Sequence, residues 1–109
     1  MPTASKSSTT TSEEDLLPLI TPGEILLEEF LRPLNLTGNA LSLHLHVPAN
    51  RISEIVNGQR AITADTALRL ARYFGNSPEF WLNLEQNYQL SVAKREKAEE
   101  INRQVIPAA

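Results

Sequence analysis

Residues 36–60, LTGNALSLHLHVPANRISEIVNGQR, constrain the fold of this chain more than any other stretch. They read as two short helices joined by a tight turn. Thr37 stands where a hydroxyl can cap the first helix, and Leu41 and Leu45, four apart, share one of its faces. His46-Val47-Pro48 breaks the pattern. The second helix is expected from about Pro48, whose fixed φ suits a first helical turn. Ile52 and Ile55 give that helix a buried face, and Gly58 ends it as a left-handed residue. Apolar residues at 41, 45, 47, 52 and 55, with small Ser42 among them, are spaced to lock two helices at a steep angle, Ser42 letting the second approach the first. The motif spans residues 37–58.

The flanking sequence supplies three further helices. Thr21-Pro22-Gly23-Glu24 is a capping box with proline at the first helical position. The helix it opens is expected to run to about Arg32 with Ile25, Leu26, Phe30 and Leu31 inward. Thr63 caps a helix from Ala64 to Phe74 that turns Ala67, Leu68, Leu70, Ala71 and Phe74 to the core and closes at Gly75. Ser77-Pro78-Glu79 starts the last helix at about residue 78, where Trp81, Leu84, Tyr88 and Val92 recur as an amphipathic stripe. The following SVAKREKAEEINRQ keeps helical propensity but is so highly charged that fraying is expected. No strand pattern competes. The expected fold is all-α: a five-helix, repressor-like helix-turn-helix domain over residues 19–109 with a long C-terminal helix. A chain of 109 residues with 41% apolar content suits one domain with a small core. Residues 1–18, rich in Ser and Thr, bury too little to offset ordering entropy and are expected to form a disordered tail.

Two helices set steeply across a tight turn are the geometry that lays a second helix in the DNA major groove. Ala49, Asn50, Arg51, Ser53, Glu54 and Asn57 are then free to face the groove. Asn50 can pair bidentately with adenine and Arg51 with guanine. Ser53 can bond a base or phosphate, and Glu54 can accept from cytosine N4 or orient Arg51 or another arginine. Asn57 and Arg60, late in the motif, suit phosphate, as does Asn39 near the N-terminus of the first motif helix. The net charge of −3 argues against nucleic acid at first sight. Its distribution softens that: residues 1–35 carry −4, residues 36–76 carry +2 through Arg51, Arg60, Arg69 and Arg72 against Glu54 and Asp65, and residues 77–109 carry −1. Local field governs phosphate contact. Four arginines are a modest footprint, so DNA binding is expected of a homodimer, with Trp81, Leu84, Tyr88 and Val92 as candidate interface; Trp81 reads equally well as core filler.

Other chemistry finds little support. There is no cysteine for a disulfide, a thiolate metal site or a nucleophile. His44 and His46, two apart, diverge on a helix and lack a third ligand, so no metal is expected. No strand–Ser–helix elbow or glycine-rich phosphate loop is present, so neither an enzyme nor a cofactor is expected. No apolar run approaches the roughly 18 residues of a membrane span, and MPTASKSSTTTSEEDLLP lacks a signal-peptide core. A cytoplasmic protein without membrane contact is expected.

PGEILLEEFLRPLNL, followed by NRISEIVNGQRAITADTALRLARYFGNSPEFWLNLEQNY, resembles the HigA-type antitoxins, a branch of the phage-repressor-like (XRE/Cro-C1) helix-turn-helix family. The resemblance covers residues 21–96. The combination of RISEIVNG, ITADTALRLARYFG and SPEFWLNL is specific, where a bare helix-turn-helix pattern is weak. Two positions depart from it. His46 stands in the turn where glycine is usual, and histidine tolerates the left-handed region better than most residues. Gly38 stands where a glutamine usually touches phosphate. The resemblance implies a repressor of its own toxin–antitoxin operon, bound as a dimer to a pseudo-palindromic operator, that also neutralises a HigB-type mRNA-cleaving toxin. A basic toxin would find Glu24, Glu28 and Glu29 on the outer face of the first helix. Two alternatives are a solitary helix-turn-helix regulator without a toxin, and a protein-interaction module that has lost DNA binding, consistent with Gly38 and the acidic total.

Overall fold

A computed structural model describes residues 18–109. Apart from Pro18, the tail expected over residues 1–18 lies outside them. Among the described residues the fold is all-helical, with five helices: α1 (Pro22–Leu26, widened over Leu27–Leu31), α2 (Gly38–Leu45), α3 (Arg51–Val56), α4 (Ala64–Phe74) and α5 (Pro78–Gln104). None of these helices is long and apolar enough to cross a membrane.

Local chemistry sets most helix ends. At α1 the Thr21 hydroxyl accepts from the Glu24 N–H at 3.1 Å, and the Glu24 carboxylate accepts from the Thr21 N–H at 3.0 Å, a complete capping box. Thr37 and Thr63 cap α2 and α4 through their hydroxyls alone, which accept from the N–H groups of Ala40 and Thr66. His46 ends α2 with φ 59° and ψ 46°, and the N–H of Val47 reaches back to the Ser42 carbonyl at 3.1 Å. Gly58 and Gly75 take φ of 78° and 76° after α3 and α4.

Three expectations about the helices change. The first helix is not a regular α-helix to Arg32. Over Leu27–Leu31 it opens into a π-turn, with the Arg32 N–H bonding the Leu27 carbonyl five residues back at 2.9 Å. The wider turn carries Leu26 and Leu31, five apart, into the same core at 0% and 1% exposure; Ile25 is only half-buried. The second motif helix starts at Arg51 rather than at Pro48. Asn50 holds φ −96° and ψ 2°, and the Arg51 N–H closes a tight turn onto the Pro48 carbonyl, so Ala49 and Asn50 precede the helix. Leu68, expected inward, is 60% exposed, because the buried stripe of α4 runs through Thr66, Ala67, Leu70 and Ala71 instead.

Within residues 20–90 the core is Leu26, Leu31, Leu41, Leu45, Ile52, Ile55, Ile62, Ala67, Leu70, Ala71 and Trp81. Trp81 is wholly covered. Its ring lies 4.8 Å from Phe30 and 6.0 Å from Phe74, and its indole N–H donates to Asn76 Oδ1 at 2.9 Å. That satisfies the one polar atom a buried tryptophan brings with it. Glu85 of α5 accepts the Ile62 N–H at 2.9 Å, tying down the α3–α4 connection. Beyond Leu90, α5 is helical to Gln104, and Ile101, Val105 and Ile106 are exposed.

Candidate nucleic-acid interface

The motif is held by contacts on the inner side of α3. Ile52 and Ile55 are 0% and 2% exposed. Ser42, buried in α2, allows the close approach expected of a small residue and also binds: its Oγ accepts the Ile52 N–H at 3.2 Å. That hydrogen bond takes up one of the free N–H groups of the first turn of α3. From the other side, Gly23 of α1 lies against the end of α3. A Cβ at that position would stand 2.0 Å from the Ile55 carbonyl oxygen, so only glycine permits this packing. Arg69 of α4 pins the turn itself, donating from Nη1 to the Leu45 carbonyl at 2.9 Å and the His46 carbonyl at 3.4 Å, while its Nε pairs with Asp65.

The outer side carries the polar residues singled out by the sequence. Ala49, Asn50, Ser53, Asn57 and Arg60 are exposed, and Arg51 and Glu54 are half-buried. Asn39 is exposed in the first turn of α2. Glu54 joins two of these residues: Oε2 accepts from Asn50 Nδ2 at 2.9 Å, and Oε1 accepts from Arg60 Nε at 2.7 Å. The arginine that Glu54 contacts is Arg60 rather than Arg51. The left-handed Gly58 makes this possible by folding the chain back, so that the Gln59 N–H bonds the Glu54 carbonyl at 2.8 Å and Arg60 follows beside it. The Ser53 hydroxyl donates to the Asn50 carbonyl at 3.2 Å. Arg51 Nε is covered and has no hydrogen-bond partner among the described residues.

Other candidate residues are redistributed. Trp81 offers no surface to a second subunit, since its own chain covers it entirely; this corrects its place in the dimer stripe. Leu84, Tyr88 and Val92 are each half-buried. Arg69, counted in the positive segment, is committed to Asp65 and to the turn. Glu24, Glu28 and Glu29 are exposed, but Glu24 is engaged in the cap and Glu28 pairs with Arg32 at 3.2 Å. Sequence reasoning missed Arg69 as the clamp of the turn and counted it only as a charge, because its carbonyl partners lie 24 and 23 positions upstream. It also missed Gly23, whose partner lies 32 positions downstream. His44 is exposed and stacks on Tyr73 with ring centres 5.3 Å apart.

The helix-turn-helix family profile matches residues 27–81, half of the chain. Virulence-associated protein I of Dichelobacter nodosus is 54% identical over 81 residues, covering 74% of this chain and 75% of its own. Two solved structures share the fold. The HigA antitoxin of Pseudomonas aeruginosa, determined with the higBA promoter, superposes with a TM-score of 0.80 at 41% identity, covering 83% of this chain and 98% of that one. An addiction-module antidote protein of the HigA family from Coxiella burnetii gives a TM-score of 0.78 at 47% identity, with 84% and 99% covered.

Proposed function

This chain belongs to the HigA-type branch of the helix-turn-helix family, and from that premise we propose that it is a sequence-specific DNA-binding antitoxin. It represses its own toxin–antitoxin operon as a two-fold dimer on a pseudo-palindromic operator and captures a HigB-type, mRNA-cleaving toxin. The observation that carries the DNA-binding half is the outer side of α3. There Asn50, Arg51, Ser53 and Arg60 are gathered on a six-residue helix and its two flanking turns, while the inner side is fixed by Ile52, Ile55 and the Ser42 hydrogen bond. A rigidly seated helix with uncommitted amide and guanidinium donors can read base edges. Asn39 and Asn57, both exposed, offer amide donors for phosphate. With Trp81 withdrawn into the core, the dimer contact is drawn from the remaining exposed surface of α5.

The toxin-binding half rests on Glu24, Glu28 and Glu29. With Glu24 held in the cap and Glu28 beside Arg32, Glu29 is the acid of this face most available to a basic partner. Charges of this kind mainly raise the association rate and are screened by salt.

A gel shift of the full chain against the region upstream of its own gene tests the first half: a retarded complex with two protomers per site is expected, and no shift at low salt sinks it. Association kinetics with a purified HigB-type toxin test the second. Replacing Glu24, Glu28 and Glu29 by Gln should slow capture at low salt and leave operator binding intact; equal rates in the two chains would place the toxin elsewhere.

A further inference from the structure

We propose that Glu54 is a positioning residue that sets base specificity by holding Asn50 in its reading pose, with Arg60 fixed beside it for the DNA backbone, without touching a base itself. The proposal rests on the DNA-binding reading above and deepens it.

A carboxylate on a DNA-facing surface repels phosphate whatever the base sequence, and so works against binding. Its presence there invites a physical account. Stability does not provide one: the side chains of Glu54 and Arg60 are 29% and 45% exposed, and an exposed ion pair adds little to folding. Direct readout of cytosine is the competing role: each oxygen already accepts one bond, Oε2 from Asn50 and Oε1 from Arg60, and a base would have to share it. The bonds themselves provide the account. An arginine and an asparagine left free would each lose rotamer freedom on meeting DNA. Glu54 orders both beforehand.

The atoms it uses leave the recognising ones available. Arg60 is held through Nε, and its two terminal nitrogens make no other bond among the described residues. Asn50 is held through one N–H of Nδ2, which fixes the amide plane and leaves Oδ1 and the second N–H uncommitted, the pair that adenine requires. The backbone closes the arrangement, since the Gln59 N–H bonds the Glu54 carbonyl and the Ser53 hydroxyl the Asn50 carbonyl. Glu54 therefore does two things. Its charge depresses binding to all DNA alike, and its two bonds reduce the ordering cost where the sequence fits. Together they widen the gap between specific and non-specific binding, the quantity that matters among competing genomic sites.

The test is selection from a random duplex library with the full chain. Dissociation constants for the selected and a scrambled duplex are then measured at two salt concentrations for the parent, Glu54→Gln, Arg60→Ala and the double variant. Glu54→Gln should keep the parent's melting temperature and bind the scrambled duplex more tightly, with a steeper salt slope. The ratio of the two constants should fall about tenfold, within the range one wrong base pair costs. In the Arg60→Ala background the same change should move the ratio much less. An unchanged ratio overturns the proposal. So does a loss of preference confined to one C·G pair, which is the signature of direct readout. If Glu54→Gln melts early, Arg60→Lys serves instead, keeping the charge but losing the Nε bond: a lower ratio with intact stability supports the positioning role, and an unchanged ratio overturns it. A parent chain that enriches no sequence overturns the DNA-binding reading and this proposal together, and is told apart from the other failures because it appears before any variant is made.

Discussion

On its inner side α3 is fixed by shape: Ile52 and Ile55 are sealed, Ser42 bonds a backbone N–H, and Gly23 leaves no room for a methyl group. On its outer side the same six residues and their flanks are organised by one carboxylate in contact with solvent. The inner side tolerates no change of volume, since packed interiors respond even to one methylene. The outer side can change chemically without disturbing the fold. Stability and recognition are thus separable on a helix of fewer than two turns, and the predictions below test how cleanly.

The largest effect is expected at Gly23. In Gly23→Ala the new Cβ meets the carbonyl oxygen of Ile55 at 2.0 Å and the Val56 Cα at 2.8 Å, all backbone, so α1 or α3 must move. A loss of about 3 kcal/mol is expected, at the upper end of overpacking costs, measured by urea unfolding. Operator affinity should fall with it, because α3 is displaced. A fully stable variant would show that the two helices slide apart freely, and the distinction between the sides of α3 would collapse.

Arg51→Ala is the complementary case. Operator affinity should fall by about 1–3 kcal/mol if the guanidinium meets a base, with urea unfolding shifted far less. Arg51 Nε is covered and unbonded, so truncation breaks no hydrogen bond of its own. A variant that loses stability and affinity in proportion would move Arg51 to the inner side of the comparison.

How much of this the sequence disclosed follows from the range of each interaction. Caps and left-handed stops at Thr21, Thr37, Thr63, His46, Gly58 and Gly75 were legible because each depends on residues within a few positions of itself. The polar residues of the outer side were legible as a set, since binary patterning separates them from Ile52 and Ile55. Their bonding was not. Arg60 reaches Glu54 only after Gly58 reverses the chain, and Glu54 read equally well as a partner of Arg51. The π-turn was not legible because Ile25, Leu26, Phe30 and Leu31 pass for one broad α-helical face, although Leu26 and Leu31 stand five apart. Leu68 was misplaced by a small error of helical phase, which over one turn moves a side chain from core to solvent. Pro48 was read as the first residue of a helix, where proline is common, but the chain uses its fixed φ in the turn before α3.

Ser42→Ala sharpens the inner side further. It removes the acceptor of the Ile52 N–H without changing shape much, leaving a buried donor unpaired at a cost of about 1–2 kcal/mol. Ser42→Gly, which also lacks the hydroxyl, should cost more through helix propensity. If Ser42→Ala is neutral in urea unfolding, the seam needs only a small residue there and the hydrogen bond adds nothing net.

The smallest effect is expected at His46, in the turn that joins α2 to the start of α3. Its φ of 59° and ψ of 46° lie in the left-handed region, where a Cβ costs roughly 1–2 kcal/mol. Its side chain is exposed, so truncation forfeits no buried area. The backbone bonds here, from the His46 N–H to Leu43 and from Arg69 to the His46 carbonyl, do not depend on the side chain. Against the relief of strain stands the greater unfolded-state freedom of glycine, about 0.5–1 kcal/mol. His46→Gly should therefore stabilise the chain by about 0.5 kcal/mol net, read from urea unfolding. Operator affinity should be unchanged, because Asn50, Glu54 and Arg60 keep their bonds. His46→Val is the control: a β-branched residue is far less tolerant of this conformation, so it should lose stability where glycine gains it. If both substitutions weaken the fold alike, the imidazole is contributing a contact of its own, and backbone strain is not what distinguishes this turn.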